Sequence, residues 1–198
     1  MEKEPSFSQL EGMEIIQSMI NKAKNNFSEN GYLYLLWGWL ILVCSIGEFV
    51  MIKLNVEKHY LVWVLTWGAV IYQTIYLAKK RRQETVQTYT NEILKYVWLV
   101  FLILMFLMGF LFGSILGEQY YKMVTPAFLA LYGMPTFLSG IILKFRSLII
   151  GGACCWLLSI ISTLIPQEYT LLLIAVAMII AWIIPGYRLR SRFNKLNA

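Results

Sequence analysis

YVWLVFLILMFLMGFLFGSILG, residues 96–117, runs for twenty-two positions without a charged side chain. The hydrocarbon core of a bilayer is about 30 Å thick, and a helix rising about 1.5 Å per residue needs about 20 apolar residues to cross it. The stretch therefore predicts a transmembrane helix. Five further uncharged or nearly uncharged runs, at residues 32–52, 60–78, 123–143, 147–165 and 169–187, repeat the signal. Composition agrees, at 59% hydrophobic and 14% charged with a mean hydropathy of +0.62, where a soluble domain has about half and about a quarter.

The expected fold class is all-α: a polytopic membrane helix bundle of six transmembrane helices in three hairpins, preceded by an amphipathic N-terminal helix. The chain divides into a cytoplasmic amphipathic segment (residues 1–31), a six-helix transmembrane domain (32–187) and a basic cytoplasmic tail (188–198). No piece outside the spans is long enough to bury a core of its own. The N-terminus carries Glu2, Glu4, Glu11 and Glu14 and lacks a short apolar run behind a basic start, so the first span is expected to act as an uncleaved insertion signal.

Lys and Arg concentrate in cytoplasmic loops. With the N-terminus inside, 14 of the 17 basic residues fall on the cytoplasmic side and only Lys53, Lys58 and Lys122 face outward. Both termini are thus expected on the cytoplasmic side. The net charge of +6 reflects this topology and attraction to an anionic leaflet, and the scatter of basic residues at span ends argues against nucleic acid as a partner. Trp37, Trp39, Trp98, Trp182 and Tyr187 are expected in the inner aromatic belt, and Tyr60, Trp63, Trp67, Tyr120, Tyr121 and Tyr169 in the outer one.

Ahead of the first span, Leu10, Met13, Ile16, Ile20, Ala23 and Phe27 recur at steps of three or four, one face of a helix. Ser8 and Glu11 resemble a capping box at its start. Such a helix lies on the membrane surface or docks a partner. Gly109, Gly113 and Gly117, spaced by four, form a stripe suited to close helix approach, either within the chain or with a second copy of it. Gly133, Pro135 and Gly140 in the fourth span mark a packing site or a hinge, because an interior proline removes a backbone hydrogen bond and kinks a helix.

Chemistry is sparse. The chain has one histidine, His59, eleven Glu and no Asp, which excludes a Ser/His/Asp arrangement and argues against a multi-ligand zinc site. Neither a phosphate-binding glycine loop nor an HExxH motif occurs. Cys44, Cys154 and Cys155 sit inside spans, where cysteine acts as a small hydrophobe. No enzymatic activity, cofactor or metal is expected. The one charge inside a span is Glu48. Counted by helical rise, it shares a layer with Thr125, Ser162 and Thr163, while Gln73 and Thr136 occupy a deeper polar layer. Glu48 reads either as a proton or cation site facing the bundle interior or as a side chain reaching the outer interface or Lys53.

The segments LYGMPTFLSGIILK (131–144), Gly151-Gly152, IIPGYRLRSR from Ile183, and Asn30-Gly31 leading into LYLLWGWLILV resemble an uncharacterised family of small six-span bacterial membrane proteins. The resemblance covers most of the chain and implies architecture and a bacterial cytoplasmic membrane. It brings no activity to carry over. Two functions stay open: a non-enzymatic membrane partner or regulatory component in signalling or envelope stress, with a cytoplasmic protein or a second copy as partner, and a small-solute or ion transporter or channel built around a kinked fourth helix. The topology predicts no alkaline phosphatase activity from a fusion after Arg192 and no periplasmic labelling of a cysteine placed at Arg82. Either signal would reverse the orientation.

Overall fold

The computed structural model describes residues 12–14, 31–83 and 89–197, and among these the secondary structure is helical without a strand. In chain order they form α1 (Gly31–Lys53), a 3-10 turn (His59–Trp63), α2 (Val64–Gln83), α3 (Tyr89–Ile115), a second 3-10 turn (Gly117–Gln119), α4 (Tyr120–Ile142), α5 (Arg146–Ser162), α6 (Gln167–Met178), a π turn (Ile179–Ile183) and α7 (Ile184–Asn197). Five stretches are long and apolar enough to cross a membrane: Gly31–Lys53, His59–Lys79, Glu92–Ile115, Lys122–Ile142 and Gln167–Arg192, the last carrying α6, the π turn and most of α7. The sixth apolar run forms α5, which at 17 residues rises about 25 Å. The amphipathic helix expected over residues 10–27 lies outside the described residues except at 12–14.

The connections explain why consecutive helices double back. After α1, the amide of Val56 bonds the carbonyl of Met51 and the amide of Asn55 that of Ile52, a Schellman cap with Asn55 in the left-handed region at φ 55°. Asn tolerates that conformation better than most residues. The same pair of bonds closes α4, from Phe145 to Gly140 and from Lys144 to Ile141, with Lys144 at φ 50°. Gly117 takes φ +51° directly after α3. The sequence had assigned it to a packing stripe, but its backbone serves to turn the chain.

Burial is distributed unevenly. The span windows of α1, α4 and α6–α7 are 28%, 44% and 56% buried within the chain, whereas those of α2 and α3 are 0% and 6% buried. The core is therefore made mainly by α1, α4, α5 and α6–α7, joined by Leu94, Trp98 and Phe101 from the first half of α3, while α2 and the rest of α3 stand at its edge. Where the core helices meet, they meet at glycine. A Cβ on Gly152 of α5 would fall 2.6 Å from Phe137 Cβ and 2.7 Å from its backbone nitrogen on α4, and one on Gly151 would fall 2.7 Å from the Cα of Ala181. Backbone contact of this kind is how helices associate where lipid competes equally for apolar side chains. Gly133 and Gly140, expected as packing or hinge positions, lie in the same α4–α5 seam, against Trp156 and Ile149. Gly109 and Gly113, by contrast, have nothing within 4 Å of an added Cβ, so among the described residues no helix uses that stripe.

Pro135 and Pro185 are both fully buried. Proline cannot donate to the carbonyl four residues back and its ring crowds that carbonyl. At Pro185 the π turn immediately before it relieves the conflict, since widening the backbone moves the crowded carbonyl away. Gly152→Ala is expected to lower the unfolding midpoint in detergent by several degrees, corresponding to overpacking of about 1–3 kcal/mol. Gly113→Ala should leave it unchanged or raise it, because Ala favours a helix by up to about 1 kcal/mol over Gly. An unchanged midpoint in Gly152→Ala would show that the α4–α5 seam can relax.

Candidate functional site

Glu48 lies on α1 one turn from its end and is buried. Both carboxylate oxygens are engaged. His59 Nδ1 donates to Oε1 at 2.9 Å and Trp63 Nε1 donates to Oε2 at 2.6 Å, the imidazole presenting its Nδ1–H because a carboxylate only accepts. These donors come from the 3-10 turn that returns the chain from α1 to α2, and the Cys44 thiol adds a contact to the Val62 carbonyl at 3.6 Å. A buried carboxylate held by two N–H donors is a charge-assisted pair of the stronger kind. Chemically, it orients the imidazole and leaves Nε2 as the free ring nitrogen of a half-exposed histidine.

The other polar residues near this end are paired away from Glu48. Lys53 forms its ion pair with Glu168, and its ammonium lies 5.0 Å from the centroid of Tyr169. Thr170 donates to Thr125 at 3.3 Å, both buried. Ser162 and Thr163 bond the carbonyls of Ser159 and Ile160 on their own helix. The structure thus separates the layer Glu48, Thr125, Ser162 and Thr163 into local pairs, and Glu48 reaches neither Lys53 nor the bundle axis.

The deeper pair is separated too. Gln73 of α2 accepts from Trp37 Nε1 of α1. Thr136 of α4 accepts from Trp182 Nε1 at 2.9 Å and donates to the Tyr132 carbonyl at 2.8 Å. Around Trp182 the centre of the bundle is filled by aromatic rings. Trp98 stands edge-on to Trp182 at 5.7 Å and to Tyr34 at 5.7 Å, Tyr132 is edge-on to Trp182 at 5.4 Å, and Phe101 packs on Trp98 and Tyr132 at 5.6 Å. Edge-to-face contacts at these spacings are favourable beyond their area. Trp182, expected in an interfacial belt, is only 2% exposed because the π turn and the close approach at Gly38 draw it inward.

His59 and Trp63 escaped the sequence reading as a lone loop histidine and a belt anchor. The signal that finds them is symmetry: Glu48 and Trp63 stand nearly equidistant from the turn at Asn55 and Val56, so in an antiparallel hairpin they face one another. No group of three or more His, Cys, Asp or Glu suited to a metal occurs among the described residues. Comparison with protein-family models, curated proteins and solved structures gives no match.

Glu48→Leu is expected to destabilise the protein, since it strands two N–H donors that cost about 1–3 kcal/mol each when left unpaired. Trp63→Phe should cost about 1.5–3 kcal/mol, the range for a hydrogen bond to a charged group. In the double variant the two losses should be less than additive. Thermal unfolding in detergent reads all three, and a Glu48→Leu protein as stable as the parent would show the carboxylate contributes nothing.

Proposed function

We propose that this chain is a non-enzymatic multi-pass protein of a bacterial cytoplasmic membrane, acting as a membrane partner or regulatory component in signalling or envelope stress. In this reading it crosses six times in three hairpins, α5 and the turn up to Pro166 making the short fifth crossing, and both termini are cytoplasmic. The observation that carries it is the contrast in burial: α4 and α6–α7 hide about half of their spans within the chain while α2 and α3 hide almost none. Lipid can cover such a surface. Gly68, Gly109 and Gly113, with nothing within 4 Å of an added Cβ, also leave room on this pair for the backbone of a partner's helix.

The centre of the bundle supports the same choice over transport. Its rings interlock at 5.4–5.7 Å, and Thr136 at its centre is bonded by Trp182, whereas a solute pathway is lined by polar groups that face water. The feature a transport reading would rest on is the Glu48–His59 pair. A photo-crosslinking residue at Gly113 in α3 should give a protein adduct of defined stoichiometry in native membranes, and one at the exposed Ile150 in α5 should give only lipid adducts. Lipid adducts alone at both positions, together with a liposome proton flux that vanishes in Glu48→Gln, would replace this function with transport.

A further inference from the structure

The end of the bundle opposite Glu48 carries a group of tyrosines that the proposed function does not use. The hydroxyls of Tyr32, at the start of α1, and Tyr72, on α2, bond each other at 3.0 Å. Tyr76, one turn beyond Tyr72, packs on Tyr32 at 5.4 Å and stacks with Tyr72 at 6.4 Å. Two hydroxyls have two protons, and their mutual bond uses one, so one O–H remains free to donate. Beside them runs α7, brought close because Gly31 has no side chain: a Cβ there would be 3.1 Å from Leu189 Cβ and 3.5 Å from the backbone nitrogen of Arg190. Arg190 also belongs to an open polar patch on the exposed face of α7, with Tyr187, Ser191, Asn194 and Lys195. The ion pairs of the described residues, Lys53–Glu168 and His59–Glu48, both lie at the far end.

We infer that the Tyr32 and Tyr72 hydroxyls and the Arg190 guanidinium form a site for the phosphate of an anionic phospholipid headgroup, flanked by Lys195. The chemistry fits an intercalated lipid. Tyr32 opens the span of α1 and Tyr72 lies two turns before Lys79 at the end of the span of α2, near the depth at which Tyr favours the interface. Arg offers a planar fork matched to phosphate oxygens. The exposed apolar faces of α1 and α2 continue from the site toward the bilayer centre, at Trp39, Val43, Ile71 and Leu65, where acyl chains would lie. This inference rests on the membrane reading and is independent of any protein partner.

The test uses the full chain in detergent, supplied with phosphatidylglycerol, phosphatidylcholine or inorganic phosphate, with bound lipid counted by native mass spectrometry. Phosphatidylglycerol should be retained over phosphatidylcholine and resist millimolar phosphate. Arg190→Gln should reduce its retention about tenfold or more, the equivalent of one hydrogen bond between charged groups, and Tyr32→Phe with Tyr72→Phe should reduce it several-fold. Arg192→Gln removes the same charge from outside that patch and should change retention less than twofold. Equal losses in Arg190→Gln and Arg192→Gln would reduce the site to general surface charge and overturn the inference. Displacement by inorganic phosphate without preference between the two lipids would overturn the lipid as its source. Circular dichroism of each variant checks that the fold is kept.

Discussion

Inside a bilayer a backbone carbonyl or side-chain donor finds no water to bond, so every polar group must be matched by another within the protein. This chain sets itself a demanding version of the problem, with Pro126 and Pro135 in one helix and Pro185 in another. Those prolines free the carbonyls of Lys122, Leu131 and Ala181, and α5, in contact closer than ordinary side chains allow, adds further donors along α4. Because Gly133 and Gly152 bring α4 and α5 together, Ser159 reaches the Pro126 carbonyl at 2.7 Å and Trp156 that of Ala130 at 3.1 Å. The glycines set the spacing and the donors of α5 then reach the backbone of α4.

A different device holds α2, which has almost no buried surface to fix its position. Tyr32 with Tyr72, Trp37 with Gln73, Cys44 with Val62, and Glu48 with Trp63 form successive polar rungs between α1 and the returning chain. Apolar faces slide freely where the surrounding lipid is equally apolar, while directional bonds in a low dielectric hold one register. Two kinds of association thus coexist in one molecule: backbone contact in the core and spaced hydrogen bonds at its edge.

The all-α membrane character was legible in the sequence because hydropathy over about 20 residues is a local property. Pairing was not. The Gly109, Gly113 and Gly117 stripe has the spacing of a contact, but spacing within one helix does not say which face meets a neighbour, and close contacts occur instead at Gly151 and Gly152 and at the separately expected Gly133 and Gly140. Counting rise along each helix put Glu48 level with Thr125 and Gln73 level with Thr136. Depth fixes only one of three coordinates, and each found a partner around the helix axis at its own azimuth. Pro135 was recognisable because proline restricts the backbone wherever it falls, whereas the fit of Gly133 and Gly140 depends on Trp156 and Ile149 of a neighbouring helix.

The π turn at Ile179–Ile183 also sets the azimuth of everything after it. One residue advances an α-helix by about 100°, and a π turn absorbs one residue without that advance. Wound as a regular helix, the same sequence would keep Gly151 against Ala181 but swing Gly186 away from Leu35. The bulge is a torsional offset inside a single rod, letting its two halves be keyed to different neighbours. It couples the heart of the protein to its edge: the direction in which the arginines of α7 point is decided by how tightly the backbone is wound beside Trp182, two turns deeper in the bundle.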